Sequence, residues 1–92
     1  MDKTILQEAQ ELVFGPRQAI YGHPMDDFGR TARLWTAYLG PRAPAGVTAA
    51  DVALMMCLLK MARLMESPDH RDSVTDLAGY AATYARVMRI DP

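Results

Sequence analysis

The strongest constraint on the fold is one segment, which opens with Thr48-Ala49-Ala50-Asp51 and runs to about Met65. A threonine followed three residues later by an acid resembles a capping box, in which side chain and backbone satisfy each other's open hydrogen bonds at a helix start. From Val52 to Met65 only Lys60 and Arg63 carry charge. A helix apolar on nearly every side is buried on more than one face. The expectation is therefore a central apolar helix over about 48–65. Its longest apolar run, Val52 to Leu59, is far short of the roughly 18 to 20 residues that span a bilayer.

The other helices arrange themselves around this one. Thr4 is the N-cap of a first helix to Phe14, with Ile5, Ala9, Leu12 and Val13 at helical spacing, and Gly15-Pro16 stops it. A short segment, Arg17 to Ile20, leads to an ordered turn at Tyr21-Gly22-His23-Pro24. A second helix runs from Met25 or Asp26 to Tyr38, with Asp26 and Asp27 at the positive end of its dipole. Its stripe is Phe28, Ala32, Trp35 and Leu39, and Gly40-Pro41 ends it. Arg42 to Gly46 reads as a linker. After Ser67-Pro68-Asp69, a C-terminal helix over about 70–88 carries the stripe Leu77, Ala81, Tyr84, Met88. No strand is needed. The expected fold is all-α, a compact four-helix bundle-like single domain over 1–92 with the C-terminal helix antiparallel to the central one.

Ninety-two residues form one domain with a thin core, yet half of them are hydrophobic, seven being methionine. This surplus predicts a homo-oligomer, a dimer by expectation, that buries apolar surface between subunits. A net charge of -1 gives no basic excess for a phosphate backbone, so nucleic acid is disfavoured as a partner. The single cysteine, Cys57, lies in an apolar run and reads as a small core residue. A polar start without an apolar stretch after it, and no membrane span, predict the bacterial cytoplasm.

A short loop between the last two helices makes them antiparallel neighbours. With the turn centred near Pro68, facing positions sum to about 136. Lys60 then faces Asp76, Arg63 faces Ser73 beside Asp72, Cys57 faces Gly79, and Met56 faces Tyr80. In one reading the two charge pairs are interhelical salt bridges that set register. In the other they border a site. Lys60 and Arg63, three apart on one face, offer donors to a phosphate. Asp72 and Asp76, four apart, offer oxygens to Mg²⁺ beside substrate phosphates.

Tyr80, Tyr21 and His23 are the remaining pocket candidates. Tyr80 offers a ring to a base. His23 is the side chain that titrates near neutrality, or else a residue that caps or packs in its turn. The methionines of the central helix offer an adaptable surface or core filling. The chain has no G-x-x-x-x-G-K-[ST] loop, no C-x-x-C pair and no basic helix face fit for a DNA groove.

Several motifs recur together: Arg17 with Tyr21-Gly22-His23-Pro24, Phe28, Leu34-Trp35, Tyr38-Leu39, Asp51 to Met56, Leu59-Lys60, Ala62-Arg63, Asp72-Ser73 and Asp76 to Ala81. In this combination the chain resembles, from about Leu6 to Met88, a family of small uncharacterised all-helical proteins of actinobacterial phages and prophages. More distantly, its later part is similar to phage domains associated with nucleotide modification and to the MazG-type all-α nucleoside triphosphate pyrophosphohydrolases. That likeness implies a helical, oligomeric, Mg²⁺-dependent protein that cleaves between α and β phosphates. The sequence departs from the MazG pattern of E-E-x-x-E on one helix and E-x-x-D on the next. Lys60 and Arg63 stand where the first motif belongs, and Asp72 and Asp76 stand at spacing four in the second.

The functional expectation is a phage-type accessory protein that binds a nucleotide or another phosphorylated small molecule. Lys60 and Arg63 hold phosphate, Asp72 and Asp76 orient them or bind Mg²⁺, and Tyr21, His23 and Tyr80 close the pocket. A degenerate pyrophosphohydrolase is the enzymatic form of that expectation. The alternative is a non-enzymatic helical protein that binds and modulates a host or phage protein.

Overall fold

The computed structural model describes residues 2–92, and of residues 17–19 the backbone alone. Met1 and the side chain of Arg17 lie outside the described residues. Among the described residues five α-helices follow in order: α1 (Ile5–Phe14), α2 (Pro16–Tyr21), α3 (Pro24–Leu39), α4 (Ala49–Glu66) and α5 (Arg71–Val87). No strand occurs among the described residues. The chain is all-α, as its periodicity predicts.

The helix starts are chemically defined. The Thr4 hydroxyl accepts from the Gln7 amide at 3.2 Å while the Thr4 amide donates to Gln7 Oε1 at 2.8 Å, a capping box that opens α1. Thr48 and Asp51 make the same reciprocal pair at the start of α4, at 3.1 and 2.9 Å. The end of α1 demands glycine: a Cβ at Gly15 would collide with the Glu11 carbonyl oxygen. Pro16 then opens α2 at a position where no amide proton is needed.

Tyr21 to Pro24 does not form a single turn. Tyr21 ends α2 and Pro24 is the first residue of α3, so the turn is Gly22-His23, with Gly22 at φ 79°. The linker after α3 is also shorter than expected. Gly40–Arg42 forms a 3₁₀ turn, and Val47 is stapled back to α3 by its amide, which donates to Thr36 Oγ1 at 2.9 Å.

The larger correction concerns which helix is central. α4 packs against α5 and α3, whereas α5 packs against α4, α1 and α3. Only Val52, Ala53, Cys57 and Lys60 of α4 are buried; Leu54, Met55, Leu58, Leu59, Met61 and Met65 are exposed. α5 is the central helix, and its buried residues are Ser73, Thr75, Gly79, Thr83, Arg86 and Val87. The expected stripe of Leu77, Ala81, Tyr84 and Met88 is only half-buried to exposed.

Small side chains on α5 let its neighbours close in, and their hydroxyls are satisfied within the helix itself. Thr75 Oγ1 donates to the Arg71 carbonyl at 3.2 Å and Thr83 Oγ1 to the Gly79 carbonyl at 2.9 Å. Gly79 faces α1, not Cys57: a Cβ there would lie 3.6 Å from Val13 Cγ2.

Polar links tie the ends of the layers. Arg71 bridges to Glu8 and donates to the Lys3 carbonyl, fixing α1 on the start of α5. At the other end Arg86 donates to the carbonyls of Val13 and Pro92 at 3.4 and 3.1 Å, and its guanidinium lies 4.7 Å from the centroid of the Phe14 ring. The helix ends there in a Schellman motif, with Arg89 at φ 61° and the Ile90 amide bonded to the Ala85 carbonyl.

Candidate functional site

The helix packing leaves a pocket of about 470 Å³ where α1, the α2–α3 turn, α4 and α5 meet. Its size is within the range of small-molecule sites. One wall is α5, which contributes Asp76, Gly79, Tyr80, Thr83 and Arg86. Tyr21, Gly22, Pro24, Asp27 and Phe28 form the opposite rim, Leu12 and Val13 an apolar floor from α1, and Lys60 enters from α4.

Lys60 is buried in this pocket. Its side chain is 10% exposed, and its Nζ lies 2.8 Å from Asp76 Oδ2. An ammonium has three donors, and Asp76 engages one of them. A buried ammonium with donors to spare carries a desolvation cost that a second acceptor would relieve. Across the pocket, the rings of Phe28 and Tyr80 lie 6.3 Å apart at 37°, an aromatic pair linking α3 to α5. Lys60 and Arg86 bring two cations, Asp27 and Asp76 two carboxylates, so the lining is balanced in charge.

Four of the residues singled out from the sequence therefore meet: Lys60, Asp76, Tyr21 and Tyr80. Three do not join them. Arg63 is exposed on α4, forms no ion pair with Asp72 and is absent from the pocket wall. Asp72 is exposed and lines a separate groove between α1 and α5 with Lys3, Glu8, Glu11 and Arg71. Asp76 borders both spaces. His23 is the N-cap of α3, its Nδ1 accepting from the Met25 amide at 3.0 Å, and it faces another groove beside Arg89 and Ile90. The register argument holds at Lys60–Asp76 and fails one turn away, because α5 starts with Asp72 turned toward α1.

Sequence reasoning missed Asp27, Phe28 and Arg86 as pocket residues. Phe28 read as part of a core stripe, and an arginine in the last turn of a helix reads as a dipole partner. No group of three or more His, Cys, Asp or Glu side chains able to hold a metal ion exists among the described residues. Asp72 and Asp76, the expected Mg²⁺ ligands, both line the groove between α1 and α5. Burial raises the Cys57 thiol above its ordinary range. No helix among the described residues is long and apolar enough to cross a membrane.

Comparison with known proteins adds a lineage to this geometry. The chain is 42% identical over 87 residues to the Gene 55 protein of Mycobacterium phage D29, covering 95% of this chain and 55% of that protein. It is also 42% identical over 85 residues to the Gene 55 protein of Mycobacterium phage L5, covering 92% of this chain and 53% of the relative. The chain thus spans about half the length of the curated relatives it matches. No solved structure matches it. Residues 4–88, from the cap of α1 to the end of α5, match one family along its length, and the chain belongs to that phage protein family, described as Domain of unknown function (DUF6378).

Proposed function

We propose that this domain binds a small planar phosphorylated molecule, a nucleotide carrying a single phosphate, in the pocket between α5 and the α2–α3 turn. The observation that carries the reading is the buried Lys60 ammonium, held by one carboxylate and set beside the Phe28–Tyr80 ring pair. A base stacks on an aromatic face regardless of its identity, and one phosphate takes the remaining donors of Lys60. The balanced lining argues against longer phosphate tails. A triphosphate would bring several negative charges to a pocket whose lining holds two carboxylates beside its two cations.

Binding without turnover is the form this reading takes. The MazG-type likeness implies a metal-assisted hydrolysis run by clustered carboxylates, and the described residues offer no such cluster. Any Mg²⁺ would come with the ligand's phosphate and not with a protein cage. The domain is therefore read as a degenerate relative of such enzymes, which keeps a nucleotide and does not cleave it. The rival, a non-enzymatic protein that modulates a host or phage protein, draws on exposed Leu34 and Tyr38 of α3, 71% and 78% accessible.

The test is a thermal-shift and calorimetric screen with the nucleoside 5′-monophosphates and triphosphates, each with and without Mg²⁺. A ligand at a hundred times its dissociation constant adds about 2.7 kcal/mol, a rise of several degrees in a domain of this size. The expected result is a monophosphate shift independent of Mg²⁺, lost in Lys60→Met and weakened about tenfold or more in Phe28→Ala. A flat screen from folded protein rejects the nucleotide reading in favour of a protein partner.

A further inference from the structure

α4 exposes an apolar face that no other part of the protomer covers. Leu54, Leu58, Met61 and Met65 recur at spacings of four, three and four, which places them on one face of a helix with 3.6 residues per turn. They are 45%, 62%, 47% and 85% accessible, with Met55 and Leu59 beside them at 41% each. Lys60 is buried on the opposite side, and Arg63 lies more than a third of a turn from Leu58. Charge reaches this face at its edges, from exposed Arg63 one turn on from Leu59 and from exposed Asp51 and Glu66 at its two ends.

The whole protomer shows the same deficit. Its accessible surface is 6401 Å², whereas a folded monomer of 10.2 kDa exposes about 5300 Å². Its radius of gyration is 14.1 Å, against about 12 Å for a compact domain of 92 residues. The excess, about 1100 Å² against that scaling, is of the order of the about 800 Å² that a stable interface takes from each partner.

We propose that this face of α4 docks on the same face of a second copy of the chain, α4 antiparallel to α4 about a two-fold axis near Leu58. The face suits itself. Its centre, around Leu54, Leu58 and Met61, carries no charge, so rotation onto its own copy sets apolar side chains against each other there, and an isologous contact needs only one such patch. Its methionines adapt to an imperfectly matched surface. α4 would then be buried on both sides, as its all-round apolar sequence requires.

Analytical ultracentrifugation of the full chain at tens of micromolar tests this. The wild type is expected at twice the 10.2 kDa chain mass. Leu58→Glu is expected at the single-chain mass. Met65→Glu, altering a side chain that is 85% accessible in the protomer, is expected to do the same with its helical circular dichroism intact. Leu6→Glu on α1, equally exposed at 74% but remote from α4, is expected to remain dimeric. A monomeric wild type overturns the proposal and leaves the face to a different protein. Folded Met65→Glu that stays dimeric, or Leu6→Glu that dissociates, overturns the assignment of the face. None of these masses depends on whether the pocket binds nucleotide.

Discussion

Lys60 Nζ on α4 lies 2.8 Å from Asp76 Oδ2 on α5, joining the helix that carries the exposed apolar face to the one that carries the core. The lysine side chain is 10% exposed and the aspartate 32%. Removing one partner of such a pair strands the other in a medium that solvates charge poorly. Asp76→Ala is expected to cost about 2 kcal/mol in urea unfolding, discounted from the fully buried case for the half-open carboxylate. Replacing both, as Lys60→Met with Asp76→Leu, is expected to cost less than the sum of the single changes, with a coupling of about 1 kcal/mol. Additive losses in the double-mutant cycle would show that the two side chains do not interact.

At the end of α5, Arg89 holds a left-handed backbone at φ 61° that glycine adopts without a Cβ penalty. Arg89→Gly keeps the Ile90 amide bond to the Ala85 carbonyl and is expected to stabilise the domain by about 0.5–1 kcal/mol. A Tm that stays level or falls would mean the arginine side chain contributes something the backbone argument omits.

The Thr48 cap supports α4 alone. Thr48→Ala removes the acceptor for the Asp51 amide at 3.1 Å and is expected to cost about 1 kcal/mol. Thr48→Ser keeps the oxygen and should recover most of it. Equal losses for the two variants in chemical denaturation would rule out capping as the cause.

Cys57 gives a pH dependence of definite sign. Burial raises its folded pKa, so the folded state keeps the thiol proton that the unfolded state releases. The stabilisation is fully present below the ordinary thiol pKa and is lost as pH rises through the raised, folded value. Unfolding free energy is expected to fall through the alkaline range more steeply in the wild type than in Cys57→Ala. A thiol reagent at pH 8 is expected to label the native protein slowly and the urea-unfolded protein at once. Rapid labelling without denaturant would contradict the burial.

Gly79 tests the approach of α1. The site of its Cβ is 3.6 Å from Val13 Cγ2, an ordinary contact. Gly79→Ala is therefore expected to be tolerated and, by relieving backbone entropy in mid-helix, to add about 0.5–1 kcal/mol. A destabilised variant by calorimetry would indicate that α1 sits closer to α5 than this geometry gives.

Much of this architecture was legible because helix starts are written in side-chain chemistry. Thr4 and Thr48 announce α1 and α4, and the short loop at Pro68 sets Lys60 against Asp76. The central position is not legible, for two physical reasons. An all-round apolar helix has the same pattern whether its second neighbour is in its own chain or elsewhere, so the sequence of α4 reads as interior. Ser73, Thr75, Gly79 and Thr83 of α5 have no hydrophobic periodicity, although their small size is what admits close neighbours. In the pocket, Lys60, Asp76 and Tyr80 follow from register. Asp27 and Arg86 depend on how α1 and α3 cross α5, which pairwise spacing does not encode. His23 went to the α3 cap because its ring nitrogen meets an open amide two residues on.

The hydroxyl-lined seam of α5 sets how firmly a single protomer holds itself together. The hydroxyls of Thr75 and Thr83 are satisfied by their own helix and give little transfer energy when hidden, so closing around them brings the protomer less than an aliphatic seam of the same length would. The protomer is a lightly held scaffold, shaped more by the closeness its small side chains allow than by the apolar area they bury.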